Sequence, residues 1–232
     1  MNAHSLGIPA FCVAVTVGAY VLSRLLARRY PSPLTTPVFF ATALIIAVLT
    51  SSGVGVTDYE PAKRLMVFLL GPATVSLAVP LYKNRQTLLR NTLPALVGLG
   101  VGSLVTLAAA VVLARLLGLP EVIRASISIK SVTAPVAIEL APIVHGNPTL
   151  TAAFAIVTGM IGTMLGPWLM NVAGIDDPLS RGLALGTISH GQGTAQAVIE
   201  GELQGAAAGI AMGLAAIFTS CVAPFLVPFL IL

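Results

Sequence analysis

Two polar stretches interrupt apolar segments of this chain and decide its fold: Thr187-Ile-Ser-His-Gly-Gln-Gly-Thr194 and Ile129-Lys-Ser-Val-Thr-Ala-Pro135. Leu70-Gly-Pro-Ala-Thr-Val-Ser76 is a third interruption of the same kind. Continuous helices in lipid rarely contain such breaks, because each freed backbone group needs a partner away from lipid. The stretches therefore predict broken helices in a membrane protein. The sequence leaves open whether segments 121–143 and 180–200 cross fully or re-enter.

The composition of the chain requires lipid as its solvent. Of 232 residues, 56% are hydrophobic and 9% are charged, whereas soluble domains carry about 25% charged residues. A membrane span needs about 20 apolar residues. We therefore expect one all-α transmembrane domain over residues 1–232, a polytopic bundle of about seven or eight segments. They are predicted at 5–23, 34–50, 64–82, 92–117, 121–143, 150–172, 180–200 and 205–231.

The net charge of +4 bears on topology rather than on nucleic acid, because the basic residues lie in short clusters without interleaved aromatic residues. Cytoplasmic loops carry an excess of lysine and arginine. Such clusters follow the first and third predicted spans, at Arg24, Arg28 and Arg29 and at Lys83, Arg85 and Arg90. We expect both loops in the cytoplasm and the N-terminus outside.

An internal repeat connects the two strongest interruptions. Thr133-Ala-Pro-Val-Ala-Ile-Glu139 matches Thr194-Ala-Gln-Ala-Val-Ile-Glu200 at an offset of 61 residues. On a larger scale, the pattern span, broken span, span over 34–117 recurs over 150–231. Short matches in alanine- and valine-rich sequence also arise by chance, which is the alternative. A true repeat is typical of a transporter whose site lies where broken helices meet.

Lys130 is the first candidate binding residue, and Ser131, Thr133 and Pro135 follow it closely. A lysine at membrane depth costs about 3 kcal/mol of insertion free energy unless it faces a partner or water. Its ammonium is therefore expected to meet an anionic substrate or a carboxylate such as Glu139. A helix break at Pro135 would also free backbone N–H groups that favour anions. The alternative is a lysine at a span end that reaches the lipid headgroups.

The second candidate binding site is the run Ser189, His190, Gly191, Gln192, Gly193 and Thr194. Its glycines allow the backbone to unwind and to approach a ligand closely. We expect the run to line a cavity, and a short loop outside the membrane is the alternative. His190 is also a candidate for proton coupling, since histidine ordinarily titrates near neutrality. Glu139 and Glu200 are the other candidates for that role.

The sequence predicts neither an enzyme nor a cofactor or metal site. Ser189 and His190 are adjacent, a spacing that rarely gives the hydrogen-bonded geometry of nucleophile and base, and no third catalytic member accompanies them. Cys12 and Cys221 lie in apolar runs at opposite ends of the chain. We expect both to be buried reduced thiols.

At these motifs the chain resembles the LrgB/CidB family, which includes bacterial antiholin-like proteins and the plastid glycolate/glycerate translocator. The resemblance rests on Ser128-Ile-Lys-Ser-Val-Thr-Ala-Pro-Val-Ala-Ile-Glu139, Gly186-Thr-Ile-Ser-His-Gly-Gln-Gly-Thr-Ala195 and Glu202-Leu-Gln-Gly-Ala-Ala-Ala-Gly-Ile-Ala-Met-Gly213. Where relatives often read Ser-His-Ala-x-Gly-Thr, this chain has Gly191 and Gln192. The difference bears on the shape of the pocket and on substrate identity rather than on the fold.

The resemblance implies a secondary transporter of small monocarboxylates, such as pyruvate, glycolate or glycerate, in a bacterial inner membrane. It also implies a small LrgA/CidA-type membrane protein as a partner, and a homodimer by analogy with such carriers. The alternative is a holin-associated regulator of murein hydrolase activity and autolysis. Buried polar groups favour the carrier, because an interaction protein has no need for groups whose burial costs stability.

Overall fold

The structure is a computed structural model that describes residues 3–30 and 32–231, with side chains from Gly7 onward. Within these residues there are helices and turns but no strand, which confirms the all-α prediction. Five helical stretches are long and apolar enough to cross a membrane: Gly7–Arg29, Val56–Lys83, Thr92–Leu116, Pro148–Val172 and Glu202–Ile231. A sixth apolar helix, Pro37–Ser51, is shorter. The predicted number of seven or eight segments is therefore not confirmed.

The chain divides into two compact units, Met1–Ala78 and Val79–Leu232. The first unit contains α1 (Ala3–Arg29), a short 3-10 helix (Pro33–Thr35), α2 (Pro37–Ser51) and α3 (Val56–Ser76). Helix α1 packs against both α2 and α3. A hydrogen bond of 2.9 Å between the hydroxyls of Thr16 and Tyr59 joins α1 to α3.

The second unit contains both polar interruptions that lie beyond residue 120. Its elements are α4 (Ala78–Lys83), α5 (Arg85–Arg90), α6 (Thr92–Leu116), α7 (Glu121–Ser128), α8 (Ala134–Leu140), α9 (Pro148–Val172), α10 (Pro178–Glu200) and α11 (Glu202–Ile231). Helices α6, α9 and α11 are its three long apolar helices. Between them lie two segments that fold back on themselves, which we call hairpin 1 (residues 121–147) and hairpin 2 (residues 178–200).

Hairpin 2 turns back at His190, whose backbone has φ 42° and ψ −128° in the middle of α10. Arg181 donates to Glu200 at 2.8 Å and 3.2 Å, although 19 residues of continuous helix would separate them by about 28 Å. Gly193 packs so tightly on the first arm that a Cβ there would lie 2.7 Å from the carbonyl carbon of Leu185. The segment 180–200 therefore re-enters and does not cross.

Hairpin 1 turns back at residues 129–133, between α7 and α8. The backbone N–H of Asn147 donates to the hydroxyl of Ser126 at 2.8 Å, whereas 21 residues of continuous helix would separate these residues by about 31 Å. Ala125 and Val144 belong to one buried cluster. Segment 121–143 is therefore also re-entrant, which answers for both segments the question that the sequence left open.

The two hairpins enter the second unit from opposite ends. Helix α6 runs from the first end of the unit to the second. Hairpin 1 enters from the second end and returns to it, and α9 then runs back to the first end. Hairpin 2 enters from the first end and returns to it. This path requires the residues before α6 and after hairpin 2 to lie at the same end. Lys83 and Glu202 meet that requirement, because their side chains form an ion pair at 3.2 Å.

Helix α11 holds the second unit together, since it packs against α6, α7, α8 and α10. One apolar cluster joins it to α6 and hairpin 1, through Val227, Val111 and Ile129 among others. Cys221 of α11 is exposed. Cys12 in α1 is buried as predicted. The prediction that Cys221 is also buried was wrong, because an apolar sequence run can face lipid instead of the protein interior.

The base of hairpin 2 carries an ordinary helix cap. Asp177 precedes α10, and its carboxylate accepts hydrogen bonds from the backbone N–H of Ser180 at 2.8 Å and from the hydroxyl of Ser180 at 2.7 Å. These bonds lower the pKa of Asp177 below its ordinary value, because they stabilise the charged form. The cap therefore contributes stability at neutral pH that is lost as the pH falls through the lowered pKa.

We predict that Gly186→Val lowers the unfolding temperature of the purified protein. A Cβ at Gly186 would lie 2.7 Å from the Cα of Ala208 in α11, and overpacking of this kind costs about 1–3 kcal/mol. The matched control is Gly213→Val, because a Cβ at Gly213 meets nothing within 4 Å. Equal unfolding temperatures for the two variants would contradict the close contact between hairpin 2 and α11.

A second prediction concerns the membrane side of four loops. Single cysteines, placed in a background with Cys12→Ala and Cys221→Ser, are labelled from outside with an impermeant maleimide at exposed positions 117, 149, 176 and 202. We expect positions 117 and 149 to be labelled from one side and positions 176 and 202 from the other, because each pair flanks a re-entrant hairpin.

The informative comparison is between positions 117 and 149, which bracket hairpin 1. Labelling of these two positions from opposite sides would mean that segment 121–143 crosses the membrane and that the hairpin is wrong. Full labelling of all four cysteines after permeabilisation is the control for accessibility.

Candidate functional site

Both hairpin tips reach α9 at the same residue, Ala155, in the first half of that helix. From hairpin 1, Val132 and Ala137 form a buried cluster with Ala155. From hairpin 2, Nε2 of His190 lies 3.0 Å from the carbonyl oxygen of Ala155. The two tips therefore converge on one place along α9, although they come from opposite ends of the unit.

Helix α9 accommodates the tip of hairpin 2 because it presents glycine there. A Cβ at Gly159 would lie 2.8 Å from Oε1 of Gln192 and 2.8 Å from Cε1 of His190. One turn further on, Gly162 faces Ser189 in the same way. Any larger residue at Gly159 would displace the imidazole and the amide, so this glycine sets how deep the tip lies.

His190 is held in a backbone conformation that only glycine adopts readily. Its φ of 42° lies on the positive side, and such a conformation in a residue with a side chain costs of the order of 1–3 kcal/mol. The ring is buried, with 6% exposure. If Nε2 carries the proton, it donates to Ala155 and leaves Nδ1 as an acceptor. Strain of this kind is concentrated at functional sites.

Lys130 lies in the turn of hairpin 1 and is half-buried. Its Nζ donates to the hydroxyl of Ser131 at 3.4 Å, and none of the ion pairs among the described residues includes it. The predicted alternative partner, Glu139, is exposed on α8. An unpaired ammonium at this depth is costly unless water or an anion reaches it.

The remaining predicted residues of hairpin 1 surround Lys130 in sequence. Ser131 is buried. Thr133 is the N-cap residue of α8, although its side chain makes no capping hydrogen bond. Pro135 lies in the first turn of α8, where its missing N–H requires no partner. The first arm ends and the second arm begins at this tip.

The predicted run in hairpin 2 forms the turn and the start of the second arm. Ser189, Gly193 and Thr194 are buried, Gln192 is half-buried and Gly191 is exposed. The hydroxyl of Thr194 donates to the carbonyl oxygen of His190 at 2.9 Å, which secures the first turn after the break. Most of the run is therefore buried within α10 and against its neighbouring helices.

Buried polar atoms without partners concentrate around hairpin 2. Within the described residues such atoms are found in Ser103, Arg124, Thr187, Gln192 and Gln196. Thr187, Gln192 and Gln196 belong to hairpin 2, and Ser103 lies on α6, which packs against it. Buried polar groups in folded proteins almost always have a partner in protein or water. Water or a ligand is therefore expected beside hairpin 2.

Glu200 lies at the base of hairpin 2 rather than at its tip. Its carboxylate binds the guanidinium of Arg181 through both oxygens. The same guanidinium donates to the amide oxygen of Asn171 at 2.8 Å and to the carbonyl oxygen of Ile175 at 2.9 Å. The ion pair therefore joins the two arms, and the guanidinium of Arg181 ties them to the end of α9.

Sequence reasoning missed the contribution of α9 to the site. Ala155, Gly159 and Gly162 are small residues of a kind that is common in transmembrane helices, so nothing distinguished them before the contacts were known. It also missed the partner of Glu200, because Arg181 is 19 residues away in the sequence. The arrangement as a whole combines the unpaired cation of hairpin 1 with the buried imidazole and the free amide oxygen of hairpin 2 beside α9.

A family model and individual relatives both match this chain over most of its length. The sequence model of the LrgB-like family matches residues 16–229. The chain is 36% identical over 196 residues to the uncharacterized protein YxaC of Bacillus subtilis, which covers 84% of this chain and 85% of that protein. It is 30% identical over 186 residues to the holin-like protein CidB of Staphylococcus aureus strain Mu50. This match covers 80% of this chain and 81% of that protein.

No solved structure matches the chain. The family model nevertheless covers nearly the whole sequence, and it includes both hairpins and the three long helices that hold them. The chain therefore belongs to the LrgB-like family of membrane proteins.

Proposed function

We propose that this chain is a secondary transporter of small monocarboxylates that works by alternating access. The observation that carries the proposal is the convergence of two oppositely inserted hairpin tips on Ala155, with the unpaired cation Lys130 in one of them. Transporters with broken helices bind their substrates near the membrane midplane, where the breaks meet. A holin-like pore or a regulator has no need for this arrangement.

The carboxylate of the substrate would bind at the tip of hairpin 1. Lys130 supplies the positive charge, and the hydroxyls of Ser131 and Thr133 supply hydrogen bonds. The second arm of each hairpin begins at its tip, so the positive end of its helix dipole points toward the same region. The anion would thus replace the missing counter-ion of Lys130 and offset its cost of burial.

The rest of the substrate would lie against hairpin 2. The amide oxygen of Gln192 is buried without a partner and lies beside the ring of His190 at Gly159. A hydroxyl next to the carboxylate would donate to this amide oxygen. Small 2-hydroxy acids have a hydroxyl on the adjacent carbon, which agrees with glycolate and glycerate among the substrates that the family resemblance implies.

Proton coupling is proposed for His190, because its second ring nitrogen is available beside the substrate region. Glu139 and Glu200 are weaker candidates for this role. Glu139 is exposed, and Glu200 is bound by Arg181. A change of protonation at His190 would alter its bond to Ala155 and thereby the fit of the tip against α9.

The hairpins also support the proposal of an internal repeat within one LrgB-like domain over residues 1–232. The matching segments 133–139 and 194–200 are the second arms of hairpins 1 and 2. A repeat of hairpin followed by span, over 121–172 and 178–231, would have inverted orientation in the membrane. The larger repeat over 34–117 and 150–231 stays a prediction.

The second candidate function is that of a holin-associated regulator of murein hydrolases, which the description of CidB as holin-like favours. It would act in a complex with a small LrgA/CidA-type membrane protein. In either case we propose that the chain lies in the bacterial plasma membrane with its N-terminus outside, and a homodimer remains part of the proposal. The regulator would function without Lys130 and His190.

We predict that Lys130→Ala lowers uptake of labelled pyruvate or glycolate by the reconstituted protein roughly 10- to 100-fold. The reason is that a hydrogen bond to a charged group contributes about 1.5–3 kcal/mol. The measurement is initial uptake into proteoliposomes that contain this chain alone, with and without an inward proton gradient.

The matched control is Lys83→Ala, which removes an exposed lysine from an ion pair outside the hairpin tips. Its uptake should stay near that of the unmodified protein. Unchanged uptake by folded Lys130→Ala would remove this residue from the site. A lack of uptake by the unmodified protein, with or without an LrgA/CidA-type partner, would favour the regulator.

We also predict that His190→Gly still folds but loses the dependence of uptake on the proton gradient. Glycine adopts the positive φ of this residue without strain, so the variant separates the backbone turn from the imidazole. Stability is measured as unfolding temperature in detergent. Gradient-dependent uptake that survives the substitution would show that His190 is not the coupling group.

A further inference from the structure

Two buried hydroxyls, those of Ser103 and Thr187, lie on packed elements apart from the proposed carboxylate site. Ser103 in α6 is 5% exposed and Thr187 in hairpin 2 is 4% exposed. Neither side-chain oxygen has a hydrogen-bond partner. An unsatisfied hydroxyl in such a place costs about as much as a lost hydrogen bond, so it calls for a ligand.

The buried hydroxyls of α9 are satisfied by their own backbone. Thr151 donates to the carbonyl oxygen of Asn147 at 2.9 Å, and Thr163 donates to that of Gly159 at 3.0 Å. This local bond is the common solution for serine and threonine inside helices. Ser103 and Thr187 do not make this local hydrogen bond, although both lie inside helices where it could form.

The two hydroxyls belong to neighbouring turns of helices that touch. Leu99 of α6 and Leu183 of hairpin 2 pack in the same cluster. One turn further along both elements, Cγ2 of Thr187 lies 3.9 Å from the place where Gly102 would carry a Cβ. Ser103 follows Gly102 and lies near the middle of α6. The location is therefore deep in the bundle, one turn before the tip at His190.

The chemistry of the location suits a small monovalent cation. The first arm of hairpin 2 ends at this tip, so the carbonyl oxygens of its last turn carry the negative end of the helix dipole. Hydroxyl and carbonyl oxygens without a carboxylate do not meet the needs of Ca²⁺ or Mg²⁺, which are bound through acidic side chains. Among the described residues no cluster of three histidine, cysteine, aspartate or glutamate side chains exists to hold a metal.

We propose that Ser103, Thr187 and the carbonyl end of the first arm of hairpin 2 bind a sodium ion. Sodium is preferred over potassium because α6 and hairpin 2 approach each other closely at Gly102, and a close approach favours the smaller ion. The ends of broken helices in transporters coordinate sodium in this way. The ion would hold the first arm of hairpin 2 against α6.

The test measures ion binding without transport, so its outcome is independent of the carboxylate proposal. The purified full-length chain is unfolded by heat in detergent with NaCl, KCl or choline chloride at equal concentration and with no carboxylate present. Sodium alone should raise the unfolding temperature, by about 3–6 °C at ten times its dissociation constant. The rise should keep growing with the logarithm of the sodium concentration above the dissociation constant.

Substitutions then assign the ion to its ligands. Ser103→Ala and Thr187→Val should abolish the sodium-dependent rise, and Thr187→Ser, which keeps the hydroxyl, should retain it. The matched controls Thr151→Val and Ser220→Ala remove satisfied hydroxyls and should also retain it. A rise that persists in both Ser103→Ala and Thr187→Val would overturn the assignment.

Binding of radioactive sodium to the unmodified protein covers the case in which the variants do not fold. Saturable binding that potassium displaces poorly is the expected result. Equal unfolding temperatures in all three salts together with no bound sodium would overturn the proposal. A rise that follows pH instead of sodium would overturn it as well and would indicate proton binding beside hairpin 2.

Discussion

The ion pair between Arg181 and Glu200 is the constraint on which the second unit depends. Both side chains are mostly covered, with 11% and 14% exposure, and burial of two charges is favourable only when they are well paired. Two parallel hydrogen bonds provide that pairing. The pair fixes the base of hairpin 2, and the fixed length of its arms then sets the depth of the tip. His190 reaches Ala155 only because the base is held.

A re-entrant hairpin solves a problem that lipid imposes on irregular backbone. The residues at a break have free backbone groups, which must be enclosed by protein or by a watery cavity. Here α6, α9 and α11 surround hairpin 2, and glycine at positions 159 and 186 lets them approach closely. The same enclosure keeps polar side chains away from lipid and concentrates them in one place. Packing and candidate function therefore have a common origin in the two breaks.

The positions of the breaks could be predicted from sequence, because glycine, proline and polar residues are unfavourable inside continuous apolar helices. The direction of the chain after each break could not be predicted from sequence, because it depends on contacts between distant residues. The contact of Ser126 with Asn147 is an example. The sequence offers Glu200 as a proton-coupling candidate, but it does not reveal the ion pair with Arg181, which is 19 residues away. The contribution of Gly159 was equally hidden, because a glycine in a membrane helix has many uses.

The distance between residues 180 and 199 tests the turn at His190 most directly. Spin labels on Ser180→Cys and Ile199→Cys, in the background without native cysteines, are measured by pulsed electron paramagnetic resonance in lipid. The control pair is Ala153→Cys and Val172→Cys, which has the same spacing within the continuous helix α9 and should lie about 28 Å apart. The hairpin predicts a clearly shorter distance for 180–199 than for the control. Equal distances for the two pairs would mean that α10 is one continuous helix and would contradict the account.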